Sequence, residues 1–409
     1  MTQSRSSAGA EMHPSPPAAS PAGPPVRPKE RFLVFGAPRI EDAEIEEVAA
    51  SLRSGWLGSG PKVARLERDF AAYKGAPHAV AVHSCTAALH LSILAAGIRP
   101  GDEVITTALT FCATVNAILH AGATPVVVDV DPRTMNLDPA AAEAAITPRT
   151  RAILPVHFAG RPCDMDALCA LAERRGLALV EDCAHAIETE HRGRKAGTFG
   201  DFGCFSFYVT KNMTTGEGGM VLARREQDAA RIKVLALHGM SKDAWKRFGD
   251  EGFKHYSVVA CGFKYNMMDL QAALGIHQLG RVEAWWQRRR ELWARYDEAF
   301  ADLPLERPAA PEPDTRHAFH LYTLLVDEAR AGVSRDRFLE RMTREGIGVG
   351  VHYLSVPEHP YYQETFGWRP EATPNAMRIG RQTVSIPLSA ALSDADAADV
   401  ITAVRRAMN

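Results

Sequence analysis

Short apolar segments alternate with helical patterns over about residues 60–225, and this alternation limits the fold more than any other feature. Candidate helices at 87–96, 114–121 and 165–174 lie between segments that have the length and apolar character of strands. Strands that alternate with helices form a mostly parallel sheet covered on both faces. The pattern predicts an α/β fold with seven strands, at 79–82, 104–107, 125–130, 152–157, 177–182, 204–208 and 220–223.

Two residues with distinctive chemistry lie at or just past the ends of these strands. Asp182 ends one strand, and Lys211 follows another at the start of a Thr/Gly-rich turn. Ligands of such sheets bind beyond the carboxyl ends of the strands. Pyridoxal 5'-phosphate (PLP) chemistry requires a lysine that forms a Schiff base and an acid that keeps the pyridine nitrogen protonated. The pair predicts a PLP site, although a strand-end lysine alone is typical of a solvated surface.

From about Phe32 to about Arg406 the chain resembles the DegT/StrS-type sugar aminotransferases, PLP enzymes of the aspartate-aminotransferase fold (fold type I). The resemblance implies a large domain with a mostly parallel seven-stranded sheet flanked by helices, and a smaller C-terminal α/β domain. It rests on segments that follow one another in the family's order: Gly55–Pro61, Ser84–Leu89, Gly101–Ile105, Thr110-Phe111, Glu181-Asp182, Lys211-Asn212, Gly216–Gly219, Lys264–Met267 and Gln271–Gly275.

The length of 409 residues exceeds what one core usually holds, so more than one domain is expected. Residues 1–30, rich in proline and alanine, are predicted to form a disordered tail. Residues 31–280 are predicted to form the large PLP-binding domain. Residues 281–409 are predicted to form the small domain, which begins with a long connecting helix.

The family resemblance implies that three residues bind the cofactor phosphate. Cys85 and Thr86 follow a strand and open a helix, where free N–H groups favour an anion. Ser206 precedes the lysine by five residues. A helix cap without a ligand and a strand serine that faces solvent are the alternatives. Since the family usually has glycine at position 85, we expect Cys85 to have a negative φ.

The resemblance also assigns the groups around the cofactor ring. Phe111 would stack on the ring, Asp182 would bind the ring nitrogen, and His185 would lie near the phenolic oxygen. We expect the ring nitrogen to depress the pKa of Asp182. Core packing for Phe111 and a structural role for His185 are the alternatives. Glu188 departs from many relatives, which have glycine at this position.

Three further features concern the substrate and a second subunit. Asn266 matches a residue that reaches the cofactor phosphate of the neighbouring subunit, which implies a homodimer with a shared site. His352 and Tyr353 match a segment that borders the substrate pocket, with a packed strand end as the alternative. The basic and aromatic stretch 240–255 is either a site for the diphosphate of a nucleotide sugar or a solvated loop.

Composition excludes several other classes of protein. The formal net charge of −2 gives no indication of a nucleic-acid partner. No apolar run approaches the ~20 residues that span a bilayer, so no membrane association is expected. Seven cysteines without Cys-x-x-Cys spacing argue against a disulfide framework or a metal site. They fit reduced thiols, and the predicted location is cytoplasmic.

The predicted activity is transamination, because relatives with histidine at the position of Lys211 catalyse dehydration instead. The predicted substrate is a nucleoside-diphosphate 4-keto-6-deoxy sugar, with L-glutamate as the amino donor. Amination at C3 or of an aminocyclitol-type ketone remains open. A non-catalytic PLP-binding regulatory protein is the alternative from another class. A dinucleotide-dependent oxidoreductase fails because no Gly-x-Gly-x-x-Gly follows a strand.

Overall fold

A computed structural model describes residues 23–241 and 256–409. Its N-terminal region consists of strands that alternate with helices, as predicted. In chain order these elements are α1 Asp42–Ser54, α2 Pro61–Lys74, β1 His78–Val82, α3 Cys85–Ala95, β2 Glu103–Thr107, α4 Cys112–His120, β3 Thr124–Val128, α5 Pro139–Ala144, β4 Thr150–Leu154, α6 Met165–Arg175, β5 Ala178–Asp182, β6 Glu190–His191, β7 Arg194–Lys195, β8 Phe202–Ser206, β9 Gly219–Ala223, α7 Glu226–Ala236 and α8 Asp269–Leu279.

Seven of these strands form one sheet in the order β1-β9-β8-β5-β4-β2-β3. The strands run parallel except β9, which is antiparallel to both β1 and β8. Helix α3 packs against one face among buried apolar side chains, and α2 and α8 pack against the other. The predicted mostly parallel seven-stranded sheet is therefore confirmed.

The C-terminal region has its own apolar core, which includes Trp293, Tyr322, Phe338 and Val400. The boundary that we predict after residue 280 falls in the break between α8 and α9. The elements of this region are α9 Val282–Ala299, β10 Thr315–Arg316, β11 Tyr322–Leu325, α10 Glu328–Ala331, α11 Arg335–Arg344, α12 Pro360–Phe366, α13 Pro374–Gln382, β12 Thr383–Ile386 and α14 Asp394–Met408. Strand β11 pairs antiparallel with β12, and β10 pairs with β6.

Residues that we assigned to the tail contact the C-terminal region. Arg27 donates hydrogen bonds to the carboxylates of Asp396 and Asp399, and the Val26 N–H donates to Glu345. The chain then continues past Leu33, which bridges to Ile347. Farther along, residues 36–39 line a cavity of about 30 Å³ together with the Lys211 turn and residues 388–391.

None of the helices within the two described ranges is both long enough and apolar enough to cross a membrane.

The carboxyl ends of β1 and β8 lie close together because both strands pair with β9 at the same glycine. Gly219 pairs with Ser206 on one side and with Val82 on the other. A Cβ atom at Gly219 would lie 2.6 Å from the Ser84 carbonyl oxygen and 2.8 Å from the Cys85 nitrogen. Only glycine therefore allows β9 to approach the turn that opens α3.

We predict that Gly219→Ala destabilises the protein by about 1–3 kcal/mol, because the new methyl group overlaps backbone atoms that cannot move freely. Chemical unfolding of the cofactor-free protein measures the change. Gly58→Ala is the matched control, since a Cβ at Gly58 meets nothing within 4 Å and its φ is not positive. Equal stability of the two variants would contradict the prediction.

Candidate active site

Asp182 ends β5 and is the buried carboxylate at the centre of the site. It is 4% exposed. Thr114 in α4 donates its hydroxyl to Oδ2 at 2.9 Å, and the Ala184 N–H donates to Oδ1 at 3.0 Å. The Thr110 hydroxyl lies 2.7 Å from that of Thr114 and continues the chain of donors. These contacts fix the carboxylate at the carboxyl edge of the sheet.

Burial raises the pKa of Asp182, while the two hydrogen bonds and the charge of Lys211 oppose that rise. Within the described ranges no lysine, arginine or histidine forms an ion pair with this carboxylate. A buried carboxylate is costly unless a cation is paired with it. The site therefore fits a ligand with a protonated ring nitrogen. The depressed pKa that we expect for Asp182 requires that ligand, because the protein alone moves it the other way.

Lys211 lies in the turn after β8 rather than at the strand end. The strand ends at Ser206, and the Lys211 N–H donates to the Tyr208 carbonyl at 2.9 Å. Burial lowers the pKa of Lys211 to about 8, with Cys85 and Asp182 opposing the shift. A lysine with this pKa has a substantial neutral fraction near physiological pH, which is the nucleophilic form.

Three histidines lie close enough to Lys211 for its charge to affect their pKa values, and all of them are neutral at physiological pH. Burial is the main cause, and the charge of Lys211 also lowers the pKa of His185, His320 and His352. The pKa of His352 falls to about 4. His185 accepts the Ala159 N–H at Nδ1 and therefore carries its proton at Nε2.

The structure brings the three candidate phosphate ligands to one place. Ser84 caps α3, with its Oγ accepting the Ala87 N–H at 3.1 Å. Cys85 is the first residue of that helix and has the expected negative φ. Thr86 follows it, and Ser206 approaches this turn through its pairing with Gly219. Backbone N–H groups and hydroxyls therefore converge at a helix start, which favours an anion.

Two aromatic side chains, Phe111 and Tyr353, lie next to each other at the start of α4. Phe111 precedes α4 and is 55% exposed, although its position follows a buried strand. Its ring centroid lies 5.7 Å from that of Tyr353. The Tyr353 hydroxyl lies 3.1 Å from His185 Nε2, and His352 Nδ1 lies 2.9 Å from the Ser385 hydroxyl. Tyr353 of the predicted substrate-side pair therefore lies beside Phe111 and His185, two of the predicted cofactor-binding residues.

Asn266 lies beside the end of β1 of its own chain, where it bridges to Val82. Its Nδ2 donates to the Ser59 hydroxyl and its Oδ1 accepts from Lys264, each at 2.7 Å. The basic residues of the stretch 240–255, which we considered for a diphosphate, lie outside the described residues.

A second buried cluster, formed by His157, Glu181 and Cys183, has ligand atoms within 4.8 Å of one another. Glu181 accepts hydrogen bonds from three backbone N–H groups and lies 3.0 Å from His157 Nε2. His157 Nδ1 accepts the Cys163 N–H. Because these lone pairs are already used, the cluster is a structural support beneath Asp182.

The site combines a lysine of lowered pKa, a buried carboxylate without a cationic partner among the described residues, and an anion cradle formed by Cys85, Thr86 and Ser206. Comparison with known proteins identifies the family. A model of the DegT/DnrJ/EryC1/StrS aminotransferase family matches residues 38–405. The chain belongs to this family. Its members are PLP-dependent sugar aminotransferases, which confirms the predicted fold type, cofactor and enzyme class.

Individual relatives are consistent with this family membership. The chain is 51% identical over 381 residues to the spore coat polysaccharide biosynthesis protein SpsC of Bacillus subtilis, covering 93% of this chain and 98% of that protein. It resembles the structure of the putative sugar aminotransferase Spr1654 from Streptococcus pneumoniae in its PLP form, with a TM-score of 0.85, 33% identity and coverage of 92% and 98%. It also resembles DesI in the presence of its TDP-sugar product, with a TM-score of 0.82, 34% identity and 94% coverage of both chains.

Sequence reasoning missed three residues next to Lys211. Asn212 Oδ1 lies 2.9 Å from His320 Nδ1, and Asn212 Nδ2 donates to Glu188 at 2.8 Å. The only signal in the sequence was the departure at Glu188, which we noted without assigning it a partner. His320 gave no signal, because it lies in a strand-like run more than 100 residues from Lys211.

We predict that Asp182→Asn leaves the cofactor-free protein at least as stable as wild type at neutral pH. A raised carboxyl pKa contributes stability below the unfolded pKa and loses it as the pH rises through the folded pKa, and asparagine cannot ionise. The same variant should lose about 1.5–3 kcal/mol of PLP binding. Thermal unfolding with and without PLP measures both effects.

Asp269→Asn is the control for this substitution. The Asp269 carboxylate is also buried, but it accepts the Lys62 and Val63 N–H groups at the start of α2. Its asparagine variant should lose about 1 kcal/mol of stability and keep PLP binding. A marked loss of cofactor-free stability in Asp182→Asn would show that the carboxylate has a structural role instead.

Proposed function

We propose that this sugar aminotransferase uses L-glutamate to aminate a nucleoside-diphosphate 4-keto-6-deoxy sugar. The observation that supports catalysis is the juxtaposition of Lys211, with its lowered pKa, and the buried Asp182, which has no cationic partner among the described residues. A PLP-binding protein without turnover would share this lysine, so the response of the bound cofactor to an amino donor distinguishes the two functions.

The residues take the following roles in this proposal. Bound PLP supplies an electron sink for the carbon from which a proton is removed. Asp182 would bind the protonated ring nitrogen, and Phe111 would stack on the ring. Cys85, Thr86 and Ser206 would hold the phosphate, and His185 would lie near the phenolic oxygen. Lys211 is the attachment point of the cofactor.

Lys211 also moves the proton during the reaction. When the Lys211 amine is not bonded to the cofactor, its pKa of about 8 would allow it to accept and return a proton near neutral pH. Neutral His185 and His352 around it avoid adding positive charge that would hinder protonation. We propose that His352 and Tyr353 contact the sugar, since Tyr353 lies beside His185 and Phe111.

The substrate class draws support from the relatives. SpsC is named for spore coat polysaccharide biosynthesis, and DesI was observed with a TDP-sugar product. A nucleotide sugar substrate for this chain is consistent with both. We propose amination at the 4-keto position, as predicted from the sequence. The alternatives are amination at C3 and amination of an aminocyclitol-type ketone.

The first test is the visible absorbance of PLP mixed with wild type, Lys211→Ala and Lys74→Met. We expect a visible band that L-glutamate bleaches in wild type and in Lys74→Met, but not in Lys211→Ala. Lys74 is the matched control, because burial also lowers its pKa to about 8. It donates to the Ile187 carbonyl at 2.9 Å instead of facing the cradle.

Keto sugar nucleotides then separate the substrates. Restoration of the band by a 4-keto-6-deoxy sugar, and not by a 3-keto sugar or a cyclic polyol ketone, supports the proposal. A band that neither glutamate nor other amino donors bleach would instead indicate a PLP-binding protein without turnover.

We also propose that the enzyme is a homodimer, on the basis of an exposed apolar face. The face consists of Ile45, Leu52, Trp56, Leu57 and Met268, which are 42–57% exposed. Ile45 and Leu52 lie seven positions apart in α1, on one side of the helix. The Asp269 N–H, at the start of α8, donates a hydrogen bond to the Gly58 carbonyl and so joins α8 to the same face. Contiguous exposed apolar groups of this kind mark an interface.

Asn266 is next to this face through its hydrogen bond to Ser59. A second copy bound there would bring its own cofactor site close to Asn266, as the family resemblance implies. A cytoplasmic location is the remaining proposal, and it draws support from the seven cysteines, which are all free thiols.

We predict that Ile45→Glu/Leu52→Glu converts a dimer into a monomer and weakens PLP binding, because two charges would have to be buried in the interface. Light scattering after size-exclusion chromatography measures the mass, and circular dichroism checks folding. Tyr361→Glu is the control, since Tyr361 is 57% exposed but lies on α12. A wild-type mass of one chain would refute the dimer.

A further inference from the structure

A fully buried ion pair lies beside the Lys211 turn and has no role in the proposed reaction. Glu188 is 0% exposed and Arg289 is 2% exposed. Arg289 donates through Nη2 to Glu188 Oε1, and Asn212 donates through Nδ2 to Oε2 at 2.8 Å. Arginine stays protonated in proteins, so it holds Glu188 as a carboxylate even though burial raises the pKa of this acid.

The carboxylate fixes the orientation of the Asn212 amide. A carboxylate only accepts hydrogen bonds, so Asn212 must turn its NH2 group towards Glu188. The same NH2 group donates to the Ala318 carbonyl at 3.2 Å. The Asn212 carbonyl oxygen therefore points the other way, towards His320 Nδ1 at 2.9 Å.

The amide in turn fixes the tautomer of His320. An amide carbonyl only accepts, so His320 Nδ1 must carry the proton. Burial and the charge of Lys211 lower the pKa of His320 well below its ordinary value, so the ring is neutral. A neutral imidazole with its proton at Nδ1 has a lone pair at Nε2.

His320 belongs to the group of residues around Lys211. Its ring centroid lies 4.3 Å from that of His185, and its backbone N–H donates to the Ala159 carbonyl. His185 has the opposite tautomer, because its Nδ1 accepts the Ala159 N–H. The two neighbouring rings, whose planes are tilted by 34°, thus present one donor and one acceptor at their Nε2 atoms.

We propose that Glu188, held by Arg289, is a positioning residue that fixes the tautomer of His320 through Asn212. An acceptor at His320 Nε2 can then receive a hydrogen bond from the Lys211 amine when it is free of the cofactor, and orient it for proton transfer. The value of that orientation rests on the proposed aminotransferase function. The tautomer itself does not depend on it.

The test uses the PLP-bound enzyme labelled with ¹⁵N-histidine, since the chemical shift of each ring nitrogen shows whether it carries a proton. Fifteen histidines are present, and the His320→Gln variant assigns the signals. In wild type we expect a proton at His320 Nδ1 and none at Nε2. In Glu188→Gln the new amide can donate as well as accept, so Asn212 is free to turn. We expect a mixed or reversed tautomer and a roughly tenfold to hundredfold fall in kcat with little change in KM.

Glu103→Gln is the matched control. Glu103 is also buried and accepts hydrogen bonds from Arg149 and Thr147, but it lies at the start of β2, at the opposite edge of the sheet. This variant should keep both the His320 signals and kcat. Glu188→Asp retains a group that only accepts, so it should keep the wild-type tautomer.

An unchanged His320 tautomer in Glu188→Gln would overturn the proposal even if kcat fell, because that result would leave only a structural role. A proton at Nε2 in wild type would overturn it as well. If Glu188→Gln does not fold, Asn212→Leu tests the same link by removing the amide that His320 contacts. A wild-type enzyme without transaminase activity but with the expected tautomers would refute the proposed function and leave the positioning role intact.

Discussion

The buried carboxylate of Asp182 is the group on which the arrangement of the site depends. It ends a central strand, so the sheet fixes its backbone, and Thr114 and Ala184 fix its two oxygens. Burial without a cation is unfavourable, and that unfavourable state is what a protonated ring nitrogen relieves. The buried carboxylate thus destabilises the cofactor-free protein, and binding of a cationic ligand group removes that destabilisation.

The antiparallel strand β9 has a geometric role beyond completing the sheet. It places Gly219 between Ser206 and the turn at Ser84, so two distant parts of the chain form one anion cradle. A side chain at this position would separate them. The cradle is therefore a product of sheet order, and the helix start at Cys85 supplies donors only because β9 holds it there.

The sequence predicted those features that depend on local patterns. Seven strands, the helix that begins at Cys85 and the two charged positions are predictable because apolar runs and their ends are local properties. The contacts of Glu188 with Asn212 and Arg289 span 24 and 101 positions, and no periodicity marks such contacts. Arg27 was assigned to a tail by its proline-rich surroundings, and only the positions of Asp396 and Asp399 show where it binds. The sequence predicts an end of β8 that is two residues too late, because Phe207 is as buried as a strand residue.

The two buried lysines show why a shifted pKa does not identify a catalytic group by itself. Burial lowers the pKa of Lys74 and of Lys211 to about 8, so both amines are nucleophilic near neutral pH. Lys74 lies over the Phe205 ring and donates to a backbone carbonyl, so its amine is used within the core. Lys211 instead lies near the anion cradle, near neutral histidines and near the Asp182 carboxylate, which has no cationic partner in the described part of the chain. Reactivity towards a cofactor therefore follows from what surrounds the amine, and the pKa is only one condition among several.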